Sequence, residues 1–469
     1  MRILLALVLA VAACGPSGVS RGDGGSDGEC NPGKTESCYD GQPGTQGVAA
    51  CKPGTHTCDA TGHFGPCNGE VVPHQELCGD GVDNNCNGMI DENVDMDGDG
   101  VTTCDGDCCD STECSAPALV NPGAFDVAGD NVDNDCNGVV DDTQLLCDQG
   151  LSSGSLNAMD YAKAMDICQT ATMTEKKWGV ISAKLTLADG SGTPSNNAQA
   201  IRDHFGTGVH PQGGVNMALF STGSAAGKND TNPNYQDFQN TPSQNGNNKQ
   251  SGFPADFLAA NNNKLPNAPN CPGPSGNNAF DPVMLTVQVR VPTNAKAFKL
   301  KTNFFSSEYP EYTCSQYNDF FVILLDSGYT GTPANPTDKN LAFYSNNGQK
   351  YPVGVNLASG NTGLFTQCVN GTTGCAAGMT GTISTCTGVD QLAGTGLDSP
   401  LPFSCDTNSL EGGGTGWLET QGNVVPGEIM TLRIAIWDTS DHVLDSIAIV
   451  DGFQWEADPV QPGTVIFRQ

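Results

Sequence analysis

No lysine or arginine occurs between Lys52 and Lys163. Over the whole chain, 20 basic side chains stand against 52 acidic ones, a formal charge of −32. So acidic a chain has no basic face, which excludes nucleic acid as a partner and makes anionic lipid a poor one. Finger- or ribbon-type zinc is excluded as well, because no CxxC pair exists and histidine numbers only 6. An HExxH signature is absent, and no Cys/His pair stands out for nucleophilic catalysis. Aromatics make up 7% while glycines number 59, so much of the chain must be loop. Beyond the opening residues there is no run of about 18 apolar side chains, and no spanning helix is expected.

What is present begins with "MRILLALVLAVAACGPSG". One Arg, a short apolar run and small residues read as a secretion signal, residues 1–13. Val11-Ala12-Ala13-Cys14 resembles the bacterial lipobox, which implies lipidation at Cys14 and attachment to the membrane through that lipid alone. Gly15, not Asp, follows the cysteine, so the expected location is the outer membrane or cell surface. Residues 14–29 then form a Gly/Ser/Asp tether. The cysteine count agrees with export: of 21, setting Cys14 aside leaves 20, with 14 between Cys30 and Cys168 and 6 between Cys271 and Cys405. Both groups are even, so each region can close its own disulfides.

Residues 30–75 are rich in cysteine and turns and too poor in apolar residues for a packed core. Residues 76–147 form an acidic region, and within 76–142 stand 18 Asp or Glu with no basic side chain. The helical spacing of "LNAMDYAKAMDIC", 156–168, places Leu156, Met159, Ala162 and Ile167 near one side. Cys147 and Cys168 are expected to pair and tie this helix down. Beyond it, "LTVQVRV" (285–291), "FKLKTNFF" (298–305), "FFVILLD" (320–326) and "TLRIAIW" (431–437) read as strands. The first and last alternate like half-buried strands, and "FFVILLD", apolar throughout, reads as a central one. The expected fold is mainly β: an antiparallel β-sandwich with long loops over 148–456, a tail at 457–469, and a disulfide-rich stalk before it.

Inside the acidic region one phrase is written twice, "DNNCNGMIDE" (83–92) and "DNDCNGVVDD" (133–142). A calcium loop of the EF-hand type needs oxygens at positions 1, 3, 5 and 9 and glycine at 6. Asp83, Asn85, Asn87, Gly88 and Asp91 fill those positions, and Asp133, Asp135, Asn137, Gly138 and Asp141 fill them again. Asp95, Asp97, Asp99 and Gly100 open a third loop between them. The closing glutamate at position 12 is missing, since Val94, Gly106 and Gln144 stand there. Glu92, Asp107, Asp110 and Asp142 are the candidates to replace it. Massed carboxylates without a base repel unless a hard cation neutralises them, and oxygen-only ligands favour Ca2+ over zinc or copper. The expected role of Ca2+ is structural, with extracellular-grade affinity on the order of 10⁻⁴ to 10⁻³ M. A solvated, disordered acidic tail is the competing reading; fixed Gly and Cys oppose it.

Two resemblances follow. The segments "DMDGDGVTTCDGDC" (95–108), "NPGA" (121–124) and "DNDCNGVVDD" (133–142) resemble the MopE-type metal-binding repeat, itself similar to thrombospondin type 3 aspartate loops. That resemblance implies a Cys78–Cys86 pair in the first copy, and its copper association finds no soft or imidazole ligands here. "GGVNMALFSTGSA" (213–225), "FFSSEYPEYTCSQYNDFFVILLD" (304–326), "NLAFYSNNGQKYPVGVN" (340–356) and "VPGEIMTLRIAIWDTSDHVLDSIAIVDGFQW" (425–455) resemble, in order, the segments of the choice-of-anchor L domain. The resemblance implies a surface-protein domain without established catalysis, and Ser307 stands where that family has Glu. Glu308, Glu311, Asn318, Asp319, Asp438, Asp441 and Asp445 either form a second Ca2+ site or act as structural caps of a loop shaped by Tyr309, Pro310 and Tyr312.

The function expected is a non-enzymatic, lipid-anchored surface protein that presents a β-sandwich to an extracellular protein or glycan. The alternatives are metal binding or storage and a secreted carboxylate-based glycoside hydrolase using a pair such as Glu308/Glu311.

Overall fold

The computed structural model describes residues 30–110, 116–142, 146–238, 248–274, 276–360, 362–369, 372–373, 381–382, 385–398 and 412–467. The secretion signal, the lipobox and the tether lie outside them. Two compact units result, residues 1–117 and 118–469, so the acidic region is divided between them.

The first unit has almost no apolar interior. Its buried apolar side chains among the described residues are Cys51, Cys58, Cys86, Val101 and Cys109, while Leu77, Met89, Ile90 and Met96 are exposed. Covalent bonds therefore take the place of a core. A small antiparallel pair, β1 (Thr35–Cys38) and β2 (Gly54–Thr57), is closed by Cys30–Cys58 and Cys38–Cys67. Cys51 is bonded to Cys86 and Cys78 to Cys104. This corrects the Cys78–Cys86 pairing implied by the repeat family. Cys86 adopts φ 58° inside its loop, and its sulfur meets Cys51 of the turn-rich segment instead.

The second unit is built from α1 (Ala158–Ala164), β3 (Gly179–Thr186), β4 (Gln199–Arg202), β5 (Met217–Ser221), β6 (Gln250–Ser251), α2 (Ala255–Ala260), β7 (Ala279–Arg290), β8 (Ala297–Ser306), β9 (Phe320–Asp326), β10 (Leu418–Asn423), β11 (Ile429–Thr439) and β12 (Ser446–Glu456), besides shorter pieces. One sheet runs β3-β7-β11-β9, with β6 beside β7; the other centres on β8, flanked by β12 and β10, and continues through β12 to β5 and β4. The strand ladders are antiparallel. Leu285, Val287, Ile323, Leu432 and Ile434 of one sheet and Phe298, Leu300, Phe220, Ala448 and Val450 of the other share the main core.

Both sheets are also covered on their outer faces. Phe320, Val322, Leu324 and Trp437 pack against Phe253 and Phe257 under α2, and Leu219, Phe305, Ile447 and Ile449 pack against Phe205 and Phe238. This explains the unbroken apolar run of β9, whose alternate residues enter two different cores. It also corrects the expectation of a central strand, because among the strands of the described residues β9 pairs with β11 alone and ends its sheet. Its free edge is closed by loop backbone: Leu341 N–H donates to Ile323 O at 2.8 Å, and Phe321 N–H to Val353 O at 3.1 Å.

The helix α1 is shorter than its spacing predicts. Asn157 caps it, accepting from Met159 N–H, so Leu156 falls before the first turn and is 62% exposed. Tyr161 and Ala162 supply the buried face instead. Cys147 and Cys168 do pair.

Beside this helix, Asp148, Asp166 and Asp451 are buried together against the loop 212–216. Asp148 accepts from Val215 and Asn216 N–H at 2.6 and 2.5 Å, and Asp451 from Gly213 N–H at 3.1 Å. A Cβ on Gly213 would meet Asp166 Oδ2 at 1.9 Å, so only glycine admits this approach. Burial pushes Asp166 up to about 7, with repulsion from Asp451 and Asp148 adding to it, and burial pushes Asp451 up to about 7 as well. The folded chain then holds protons that the unfolded chain has released. Stability from this cluster is full below about pH 4 and falls as pH rises to about 7, by an amount on the order of a few kcal/mol. Urea unfolding of Asp451→Asn should show a shallower fall over that window than the parent chain; equal slopes would contradict the assignment.

Candidate metal centres

The two copies of the repeated phrase fold alike around their first Asp. Asp83 Oδ1 accepts from Asn87 N–H at 3.1 Å and Oδ2 from Gly88 N–H at 2.8 Å; Asp133 does the same with Asn137 at 3.1 Å and Gly138 at 2.8 Å. The glycines sit at φ 95° and 90°, where a side chain would be strained, which is why position 6 is glycine. In the middle loop Asp95 accepts from Gly98 N–H at 2.6 Å and from Gly100 N–H at 2.9 Å. All three loops thus wrap their backbone around the position-1 carboxylate.

Position 9 does not behave as a ligand position. Asp91 Oδ1 accepts from Gly79 N–H at 2.8 Å and Asp80 N–H at 3.1 Å, and Oδ2 from Gly81 N–H at 3.1 Å. Asp141 Oδ1 accepts from Gly129 N–H at 2.8 Å and Asn131 N–H at 3.3 Å. Both residues have φ above 50°, which turns their carboxylates back onto the preceding turn. Asp91 and Asp141 thus anchor the loop entrance, and neither joins the carboxylate groups that lie within 4.8 Å of one another.

The oxygens that approach the loops come from residues outside the motif. Glu76 accepts from Asn84 and Asn85 N–H at 3.1 Å each and from Asp91 N–H at 3.2 Å. Asp126 accepts from Asn134, Asp135 and Asp142 N–H at 2.7, 3.2 and 3.0 Å. Each lies seven residues before the first Asp of its loop, a spacing that the sequence displays but that EF-hand positions do not cover. Glu92 Oε1 receives Asn85 Nδ2 at 2.7 Å, and Asp142 Oδ2 receives Asn137 Nδ2 at 2.9 Å.

Among the described residues of the acidic region, three groups of carboxylates come within a cation's reach. Asp95, Asp97 and Asp99 form one, Asp97, Asp107 and Asp110 a second that shares Asp97, and Asp126, Asp133 and Asp135 the third; in each, one oxygen per residue lies within 4.8 Å of the others. Two oxygens on one calcium at about 2.4 Å can be no more than about 4.8 Å apart, so the spacing suits a common ion. In the middle loop, Asp110 accepts from Met96 N–H at 2.6 Å and from Thr103 Oγ1 at 3.0 Å, while Cys109 N–H holds Asp107 at 2.8 Å. Glu92 Oε2, Asp97 Oδ2 and Asp107 Oδ2 are buried and meet no donor. Burial, then repulsion from Asp99, Asp110 and Asp97, pushes Asp107 up to about 6 against its bond from Cys109. Burial likewise raises Asp97 and Asp135. Orphaned anionic oxygens in a base-free setting fit a hard cation, and they offer nothing that copper prefers.

The second unit carries the other predicted group. Glu308, Asp319 and Asp438 converge within 4.8 Å. Glu311 is buried but lies outside that trio. Asn318 Oδ1 is taken by Asn356 N–H at 2.9 Å, and the Asp445 carboxylate lies where a Cβ on Gly223 would be, 2.1 Å from its Oδ2. Neither Asn318 nor Asp445 belongs to that trio, and Asn318 makes the capping bond that the structural alternative expects. Ser307, in the family's Glu position, donates to Phe238 O at 3.1 Å and Asp445 O at 2.9 Å.

The model of the choice-of-anchor L domain matches residues 218–452, half of the chain. The chain belongs to the choice-of-anchor L family. In this choice-of-anchor L protein the MopE-type metal-binding motif also matches, at residues 26–42, 74–92 and 116–142. The first of those matches adds a copy that the repeated phrase does not reveal, and the middle loop, 95–110, lies outside all three. No curated protein and no solved structure matches the chain. The two families point to a protein of the cell surface or extracellular space that binds metal. No helix among the described residues is long and apolar enough to cross a membrane.

Proposed function

We propose that this choice-of-anchor L protein is a lipid-anchored surface protein of the outer membrane, joined to the lipid at Cys14, whose acidic loops are made rigid by Ca2+. Its β-sandwich presents loops to an extracellular protein or glycan, and Ca2+ is structural, not stored. The observation that carries the metal part is the set of buried carboxylate oxygens without donors, Asp97 Oδ2 and Asp107 Oδ2 above all. Backbone amides already hold the other oxygen of each residue, so the loop is shaped before an ion arrives. Residues suited to hold the ion are Asp95, Asp97, Asp99, Asp107 and Asp110 in the middle loop and Asp126, Asp133 and Asp135 in the last. When bound, Ca2+ supplies positive charge that no side chain of this region supplies.

Calorimetry of the full chain tests the reading. Calcium at 10 to 100 times its Kd should add about 1.4 to 2.7 kcal/mol per occupied site over the same protein in EGTA. Asp126→Asn should lose the contribution of the last loop alone. An unchanged profile rules out calcium stabilisation, and equal or larger stabilisation by copper would replace calcium with copper. Tightly retained ions in number after EGTA dialysis would favour storage.

A further inference from the structure

At one end of the β-sandwich, three acids from three chain segments are buried together. Glu308 follows β8 of one sheet, while Asp319 immediately precedes β9 and Asp438 lies in β11 of the other. Their exposures are 1%, 0% and 2%, and one oxygen of each lies within 4.8 Å of the others. The β7–β11 register shifts between Ile436 and Asp438, so an irregularity in the ladder marks where this acid enters.

The partners on hand are too few for three anions. Glu308 Oε2 accepts from Asp319 N–H at 3.3 Å, and Thr222 Oγ1 reaches Asp319 Oδ2 at 3.5 Å. Asp319 Oδ1 and Asp438 Oδ1 are buried and meet no donor. The charges acting on all three are other carboxylates, Asp441 among them, and burial is the first reason that all three are raised. His442, the base that follows Asp441, is engaged by Asp281 Oδ2 at 2.6 Å. Burying one ion without a counter-charge is costly, and burying three together more so.

The geometry points to a divalent, oxygen-seeking cation of the calcium class held by Glu308, Asp319 and Asp438, clamping the two sheets and the loop 307–319 to each other. The site shares no residue with the acidic loops. An ion shared by both sheets offsets the repulsion, satisfies the two orphan oxygens and fixes the loop between β8 and β9. Without an ion the cluster must hold shared protons, and the loop keeps only its own hydrogen bonds.

Hydrogen exchange of the full chain, read peptide by peptide, decides it. Calcium at about ten times its Kd should slow exchange in 307–319 and 436–446 on the order of tenfold relative to EGTA. In Asp438→Asn those peptides should lose the response, while 83–110 and 126–142 keep theirs; Glu308→Gln serves as the second variant if the first does not fold. In EGTA Asp438→Asn should also unfold at a higher temperature than the parent, because one of the crowded buried acids is gone. Identical exchange of 307–319 with and without calcium in the parent chain would overturn the site whatever the acidic loops do. A response of the acidic loops lost with this one retained would instead overturn the reading of the loops.

Discussion

Replacing Trp437 by alanine should destabilise the second unit by about 3–5 kcal/mol, the range for a large aromatic removed from a close-packed core. Trp437 is fully buried. It stacks on Phe320 at 6.0 Å with planes 17° apart, and meets Phe253 and Phe257 at 5.7 and 6.4 Å. The cavity would open between β11 and α2, whose position is also pinned by Asp256, bonded to Arg433 at 2.9 and 2.6 Å, so collapse would be incomplete. The indole nitrogen is buried without an acceptor. Trp437→Phe therefore removes volume but also an unsatisfied donor, whose burial costs about 1–3 kcal/mol. Denaturant unfolding should rank the variants parent, Phe, Ala, with Phe much nearer the parent. An alanine variant within about 1 kcal/mol of the parent would show that this outer core adds little.

Breaking the Cys51–Cys86 bond should have an effect of similar size in the first unit. The bond spans 35 residues, for which the loop-entropy estimate is roughly 4 kcal/mol. Here nothing apolar is available to compensate, because most of the buried apolar residues of that unit are themselves cysteines. Cys51→Ser with Cys86→Ser should abolish the cooperative transition of the first unit in calorimetry and leave that of the second in place. It should also free the loop at position 4, so amide protection of 83–92 should weaken. Retention of both transitions would mean that the remaining bridges suffice.

Much of the sandwich was legible because its strands obey simple rules. Alternation in 285–291 reports one face in a core and one in partial contact with solvent, and β7 lies there; in 431–437, on β11, the pattern holds to Arg433, after which Ala435 and Trp437 enter the outer core. The same reasoning misplaced 320–326, since a strand buried on both faces reads alike whether its edge is covered by another strand or by loop backbone. For the acidic loops, position 1 and the glycine at position 6 were readable, because both are demanded by local backbone geometry. Asp91 and Asp141 were not, because a carboxylate that could reach an ion could equally reach the amides of a turn ten residues earlier.

The order of charged and small residues by itself determined that the N-terminal region is held by disulfides and carboxylate-centred loops, since it carries too little apolar surface to do otherwise. It also determined a β-rich second half. Only the tertiary structure decided which cysteines meet, which of the many acids share a space, and that Glu76 and Asp126 brace the loops from seven residues upstream. Carboxylates are alike in sequence, and their roles separate only when folding gives one a ring of backbone donors and leaves another buried beside its own kind.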